Sequence, residues 1–418
     1  MARVFRAAIL MVCILSAGRA FAAGGACPSG ANYTSLTNPT GALVTLSSYG
    51  VTNCYYVAAN GSDANTGTDE THPWQHAPQM PNCSSACATV QNAGIPAGTG
   101  IILRGGDTWH FGASTTPASG GVWNFNSGTF PVGSSGSPIY VGVDTTWFTG
   151  ASWARPILNA DNPPCNAGTL SGTCKAESST NFDLFYVTSC AYQIGSANDF
   201  FDFGGLKYYI VDNFEMTGLC QSDVGQPTHH DVYLSYGSPS GPMWFLNLYA
   251  HGWSHLQFAG ANGGVACTGS AVCFNIFVFN GGGVPPNGEN VLKVVVDGSD
   301  SDPMSAGFCF GGMYNVAYNV ILNTSQCVAT PHLFHDNLYA DFYENGHSNW
   351  FEELGEPVGT NAVYNNVGYN LQTSGPLNGG VLMWPDPPVG TTEFVFNNLL
   401  YNVGNMETFN IGQNGSSQ

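Results

Sequence analysis

The chain has 418 residues, 54 of them Gly and 24 Pro, a density of turn formers that argues against a helical bundle. Hydrophobic residues make up 43% and aromatics 13%, too much for disorder, while Asp, Glu, Lys and Arg together reach only 8%. Arg3, Arg6 and Arg19 fall in a leader-like segment, so the remainder carries five cations against 27 acids, a net charge of −22 that excludes nucleic-acid binding by phosphate neutralisation.

Arg3 and Arg6 open a basic start, Ala7 to Ser16 form a short apolar run, and Ala20-Phe21-Ala22 supplies a small-x-small cleavage site. Residues 1–22 therefore read as an export signal. The run is too short to span a bilayer and no later stretch approaches 18 uncharged apolar residues, so the expectation is a secreted protein with no membrane partner. Twelve cysteines remain after Cys13, an even number. Sequential pairing would join Cys27 with Cys54, Cys83 with Cys87, Cys165 with Cys174, Cys190 with Cys220, Cys267 with Cys273 and Cys309 with Cys327; spacing alone leaves the connectivity open. No CxxC pair favours zinc. Residues 23–54 read as a disulfide-bearing cap segment and 55–418 as one domain.

Further along, the apolar pattern is short and β-like, punctuated by Asn and Gly, with almost no 3.6-residue periodicity. Strand segments recur at Lys207–Phe214, Trp244–Tyr249, Phe274–Asn280, Val291–Val296, Tyr314–Asn323, Ala362–Val367 and Phe394–Asn402. Such self-similarity predicts a solenoid with loops of variable length. No segment can bury its apolar face alone, whereas parallel stacking at about 4.8 Å per rung builds a continuous core. Asn tolerates left-handed backbone angles and bonds neighbouring backbone, so stacked turn asparagines are expected to form ladders along a corner. A large β-sandwich would show more hairpin dipeptides between strands.

Three stretches carry a resemblance: Tyr55-Tyr-Val-Ala-Ala-Asn-Gly-Ser-Asp-Ala-Asn-Thr-Gly-Thr68, then Pro73-Trp74, then Ile101-Ile-Leu-Arg-Gly-Gly-Asp-Thr-Trp109. Together they resemble the opening of secreted right-handed parallel β-helix proteins of the pectate-lyase-like superfamily. The resemblance implies an all-β, right-handed parallel β-helix facing carbohydrate, in a superfamily that holds lyases, hydrolases, esterases and non-catalytic surface proteins. Fold alone does not choose among these.

An eliminating lyase abstracts a proton α to a uronate carboxylate with a Lys or Arg base, often assisted by calcium. Asn287-Gly-Glu-Asn-Val-Leu-Lys293 is faintly similar to the Asn-Gly-Glu…Lys stretch of calcium-dependent β-helix lyases, which implies Glu289 as a metal ligand and Lys293 as the base. Against this, no Arg follows Arg155, and Lys293 in an apolar strand could simply face solvent. Arg104, in the opening motif, reads as structural. Asp297, Asp300 and Asp302 form a second candidate calcium cluster, with a solvated acidic turn as the alternative. A net charge of −22 repels polyanions and makes neutral or acetylated polysaccharides the easier partners. It also predicts that self-repulsion eases as the pH falls.

A hydrolase needs two carboxylates flanking the scissile bond. The stretch from His332 to Glu356 concentrates candidates: Asp336, His347, Glu352 and Glu353 for acid–base work, with Trp350 and Asn349 to bind sugar. A polar loop with a packed Trp is the alternative. His230 and Asp231, followed roughly one coil later by His251-Gly-Trp-Ser-His255, form a second candidate patch in which Asp231 and His255 would be vertical neighbours. No Gly-x-Ser-x-Gly elbow supports a serine esterase. The resulting expectation is a secreted protein that cleaves an extracellular polysaccharide, the rival being a non-catalytic β-helix surface or matrix protein.

Overall fold

A computed structural model describes residues 23–29, 45–111, 123–134, 136–165, 168–176, 185–187, 199–203, 206–218, 232–236, 243–252, 258–262, 289–297, 315–322, 333–343, 351–352, 360–372, 381–384, 390, 392–403 and 407–409. The fold is an all-β parallel solenoid. One wall is an 11-stranded sheet and the next a 9-stranded sheet, each adding one strand per rung. A third wall comes in two sections, one of four strands from Trp123–Asn124 to Phe258–Asn262 and one of three from Phe351–Glu352 to Glu407–Phe409. Pairing from rung to rung is parallel throughout these walls, apart from the first strand of the 11-stranded sheet, Gly25–Ala26, which lies antiparallel on Asn53–Val57. Crossover connections between parallel strands take the right hand in nearly all cases, which gives the coil its handedness.

The repeating segments foreseen as single strands are each two short strands bent at one residue. Tyr209–Asp212 and Glu215–Thr217 flank Asn213, and Met243–Leu246 and Tyr249–His251 flank Asn247. The bend residue has a positive φ in every such rung: Asn213, Asn247, Lys293, Tyr318, Asp336, Asn365 and Asn397. That left-handed turn carries the chain from the first wall to the second. Lys293 is therefore a corner residue, not a mid-strand one, and its side chain is exposed.

The residue after Asn213, Asn247 or Lys293 plugs the corner with an apolar side chain, Phe214, Leu248 or Val294. From there on the plug is asparagine. Asn319, Asn337, Asn366 and Asn398 stack so that each amide donates to the next at 2.9–3.0 Å. Backbone N–H groups of Asn319, Asn337 and Asn366 donate to the same oxygens, and Asn337, Asn366 and Asn398 close the set by donating to Val316, Phe334 and Val363 carbonyls. The expected corner ladder exists, one position inside the bends.

Inward-facing side chains from all rungs merge into one apolar column that includes Tyr55, Val141, Tyr209, Phe245, Val316, Phe334 and Val363. At the N-terminal end Trp74 is fully buried, stacked on Tyr55 at 4.6 Å, with its Nε1 donating to the Asn65 carbonyl. Gly67, at φ +69, lies against the Trp74 ring where any Cβ would collide. The opening motif is thus a packed cap. A nine-residue helix, Ser85–Ala93, adds to it; the sequence lacks a helical stripe there because only Cys87 and Val90 are buried. Disulfides join Cys27 to Cys54, Cys83 to Cys87 and Cys165 to Cys174, as sequential pairing suggests. The remaining three expected pairs lie outside the described residues. Arg104 belongs to the cap as well, held bidentate by Asp107 at 3.0 Å and donating to Asn60. No helix among the described residues is long and apolar enough to cross a membrane.

Candidate functional site on the second wall

Each short strand of the second wall turns its central residue inward and its two flanking residues outward, following the two-residue pleat. In Glu215–Thr217, Met216 is buried; in Tyr249–His251, Ala250 is buried. Glu215, Thr217, Tyr249 and His251 consequently share the outer surface, with Glu215 and Tyr249 in register. The Nε2 of His251 lies 3.0 Å from a Glu215 oxygen, and its ring stacks on Tyr249 at 4.4 Å. Asp297 is the register partner of His251 in the following rung. One carboxylate, Glu215, thus bonds the imidazole from the preceding rung, and a second, Asp297, occupies the register position in the following rung.

A cation completes the group. Arg155, just before the strand Ile157–Asn159, donates from Nε to the Asn247 carbonyl at 3.0 Å. Burial weighs against its charge, and the nearby Glu215, Asp212 and Tyr249 act in its favour. Behind it, fully buried Asp212 accepts from the Tyr140 hydroxyl at 3.0 Å and from Asn247 Nδ2 at 2.8 Å. Burial and the Asp212 charge both push the Tyr140 hydroxyl well above its ordinary value, so it stays a proton donor. The bend at Asn247, the arginine and the carboxylates thus form one rigid support for Glu215 and His251.

Asp336 sits at a corner three rungs beyond Asn247, where its Oδ2 lies 2.7 Å from His335 Nδ1. The His335 ring lies parallel on Tyr364 at 4.7 Å and 2°, and Tyr364 on Phe396 at 5.0 Å and 3°. Rings stacked face to face along the axis present their edges outward, so within this column the faces are spent on one another. Burial lowers the His335 pKa, outweighing the Asp336 hydrogen bond that raises it. A nuclear magnetic resonance titration should place its midpoint below the ordinary value of about 6.5. Because the unfolded chain then takes up its proton first, stability contributed by neutral His335 is present above that value and lost as the pH falls through the folded midpoint. His335→Phe should remove this part of the acid sensitivity, which runs opposite to the relief of self-repulsion.

Of the other residues singled out in the sequence, Lys293 is exposed at its corner one rung beyond Asn247. Glu289 lies in Glu289–Leu292, paired with Met243, and Glu352 in Phe351–Glu352, paired with Trp384. His230, Asp231, His255, Asp300, Asp302, His347, Asn349, Trp350 and Glu353 lie outside the described residues. Asp297 lies between His251 and Leu322 in its wall. No group of three or more His, Cys, Asp or Glu suited to a metal occurs among the described residues. Arg155, Glu215 and Asp212 carry no signal in the sequence that marks them as site residues: they are scattered singly over 60 positions, and only the rung register brings them together. His251 stood inside a segment already noticed, and register pointed to it in place of His255.

The sequence matches no protein-family model and no curated protein. Among solved structures the chain is similar to a rhamnogalacturonan lyase, at 13% identity and a TM-score of 0.41, over 87% of this chain and 88% of that one. It is similar to a pectate lyase at 14% identity and 0.41, over 87% and 81%, and to a lacto-N-biosidase from Eubacterium ramulus at 12% and 0.35, over 85% and 68%.

Proposed function

We propose that the protein is exported and hydrolyses an extracellular polysaccharide at the Glu215, His251 and Asp297 group. The observation that carries this reading is the placement of two carboxylates on either side of one half-buried histidine, on the outer wall of a solenoid. Glu215 and Asp297 belong to rungs two apart, about 9.6 Å along the axis, and Glu215 reaches toward His251. Asp297 also lies two residues across from the Glu215 column, so the roughly 6.5–9.5 Å separation with which an inverting hydrolase admits a water requires both side chains to lean toward His251. Glu215, beside the Arg155 guanidinium, is assigned the base that takes a proton from water as its oxygen bonds to the anomeric carbon. Asp297 is assigned the acid that protonates the departing glycosidic oxygen. His251 holds Glu215 and is a positioning residue. The three disulfides support an oxidising, extracellular setting.

The test is a mass spectrum of products after incubation of the protein with neutral and acidic polysaccharides, with and without calcium. Products that have gained one water support hydrolysis, and Glu215→Gln and Asp297→Asn should each lower turnover by about 10²–10⁴-fold. Unsaturated products would instead mean elimination, with exposed Lys293 as the base. Binding without any product would favour the non-catalytic reading.

A further inference from the structure

Three residues without glycine's freedom take left-handed backbone close together in the N-terminal cap: Gln79 at φ +68, Asn82 at φ +70 and Ser85 at φ +49. Asparagine tolerates that region, but glutamine and serine are strained in it. Asn82 directly precedes the Cys83–Cys87 bridge, and Ser85 lies inside it. The two ends of the bridge differ. Cys87, in the first turn of the helix Ser85–Ala93, is fully buried, whereas Cys83 is only half-buried. Cys87 Sγ lies 3.1 Å from the His76 carbonyl oxygen, so a thiol formed there has its acceptor in place.

We propose that Cys83–Cys87 is a thiol-exchange site: a dithiol reductant opens it in the folded protein and releases the helix Ser85–Ala93 from the cap while the solenoid stays intact. A thiolate of the reductant attacks Cys83 Sγ, the accessible end. The S–S bond breaks, and its electron pair passes to Cys87 Sγ, which takes up a proton and donates it in a hydrogen bond to the His76 carbonyl. The second thiolate of the reductant then displaces Cys83 from the mixed disulfide, so the protein gains two electrons and two thiols and the reductant becomes a disulfide. Opening also relieves the left-handed residues on either side of Cys83. The bridge separates its cysteines by four positions, against nine for Cys165–Cys174 and 27 for Cys27–Cys54. So short a loop constrains the unfolded chain least, and the fold loses least when it opens. Cys165 and Cys174 are moreover both buried, which denies a reductant the in-line approach that Cys83 offers. The change does not stop at the helix. The Gln79 N–H donates to Gln91 Oε1 at 2.7 Å, and Trp123, in the first strand of the third wall, donates from Nε1 to the Pro78 carbonyl at 2.9 Å. Asp63 holds the Gln75 and His76 N–H groups without help from the helix, which confines the opening to the helix side.

The test is differential alkylation read by mass spectrometry after dithiothreitol is added to the folded chain. Cys83 and Cys87 should be labelled at least about tenfold faster than Cys27, Cys54, Cys165 and Cys174. Hydrogen exchange should quicken at the Ala86 and Cys87 amides while those of Tyr209–Asp212 stay protected, and oxidised glutathione should reverse both effects. Ser85→Gly, which removes the left-handed penalty at one position, should shift the equilibrium toward the bridge by about fivefold. A Cys83→Ser, Cys87→Ser double variant should fold and show the fast exchange without reductant. Labelling of the three bridges at one rate, labelling only as the whole chain unfolds, or reduction that leaves exchange in the helix unchanged would each overturn the proposal. A double variant that does not fold, or Ser85→Gly without effect on the equilibrium, would overturn it as well.

Discussion

Replacing Asp63 by alanine is expected to cost about 4 kcal/mol of stability, near the upper end of single substitutions. Its buried carboxylate accepts from the backbone N–H groups of Gln75, His76 and Ser84 at 2.8–3.0 Å, from the His76 ring at 2.9 Å and from the Ser84 hydroxyl. The Asp63 carbonyl meanwhile takes the N–H groups of Ala86 and Cys87, the otherwise orphaned donors of the Ser85–Ala93 helix. One side chain thus ties the Trp74 turn to the helix that caps the solenoid, and its negative charge faces the helix N-terminus. Without it, three backbone donors are left in a site too closed for water to replace the carboxylate. Guanidinium unfolding followed by tryptophan fluorescence should show the loss, and Asp63→Asn, which keeps one acceptor, should recover about half of it. A cost below about 1 kcal/mol would mean that the cap hydrates freely.

Asn337→Leu should cost about 3 kcal/mol, although leucine is the natural plug at the same corner position in an earlier rung, Leu248. The amide of Asn337 accepts from Asn319 twice and donates to Asn366 and to the Val316 carbonyl. Substitution strands the Asn319 backbone N–H and side-chain amide, removes a donor from the Val316 carbonyl and leaves the Asn366 oxygen with only the residue-337 backbone N–H, and desolvated polar groups are expensive when only one partner is removed. The difference from Leu248 lies in context: there the neighbouring plugs, Phe214 and Val294, are apolar too. Replacing Asn319, Asn337, Asn366 and Asn398 together by leucine or valine should therefore cost less than the sum of the single changes, a non-additivity that thermal unfolding of the set would measure.

Much of the architecture was legible in one dimension. Recurrent short apolar segments ending in Asn imply stacked rungs because no such segment can bury its face alone, and the asparagines imply a corner. Paired cysteines at short separations marked three bridges that the fold contains. Asp63 stood in the opening motif, yet nothing local reveals that it accepts from residues 12 to 21 positions away. The bend inside each strand segment was missed because tyrosine, lysine and aspartate occupy some bends, residues without glycine's freedom that stacking holds at positive φ.

By itself the sequence determined the class: a short-period β pattern, a cation-poor and acidic surface and an even set of cysteines specify a disulfide-stapled parallel solenoid, because those properties depend on local periodicity and composition. Only the tertiary structure decided which residues meet. In a solenoid, neighbours along the axis are separated by one whole coil, and coil lengths vary with every loop, so the encounter of Arg155, Glu215, His251 and Asp297 is set by strand register and not by any spacing that can be read along the chain.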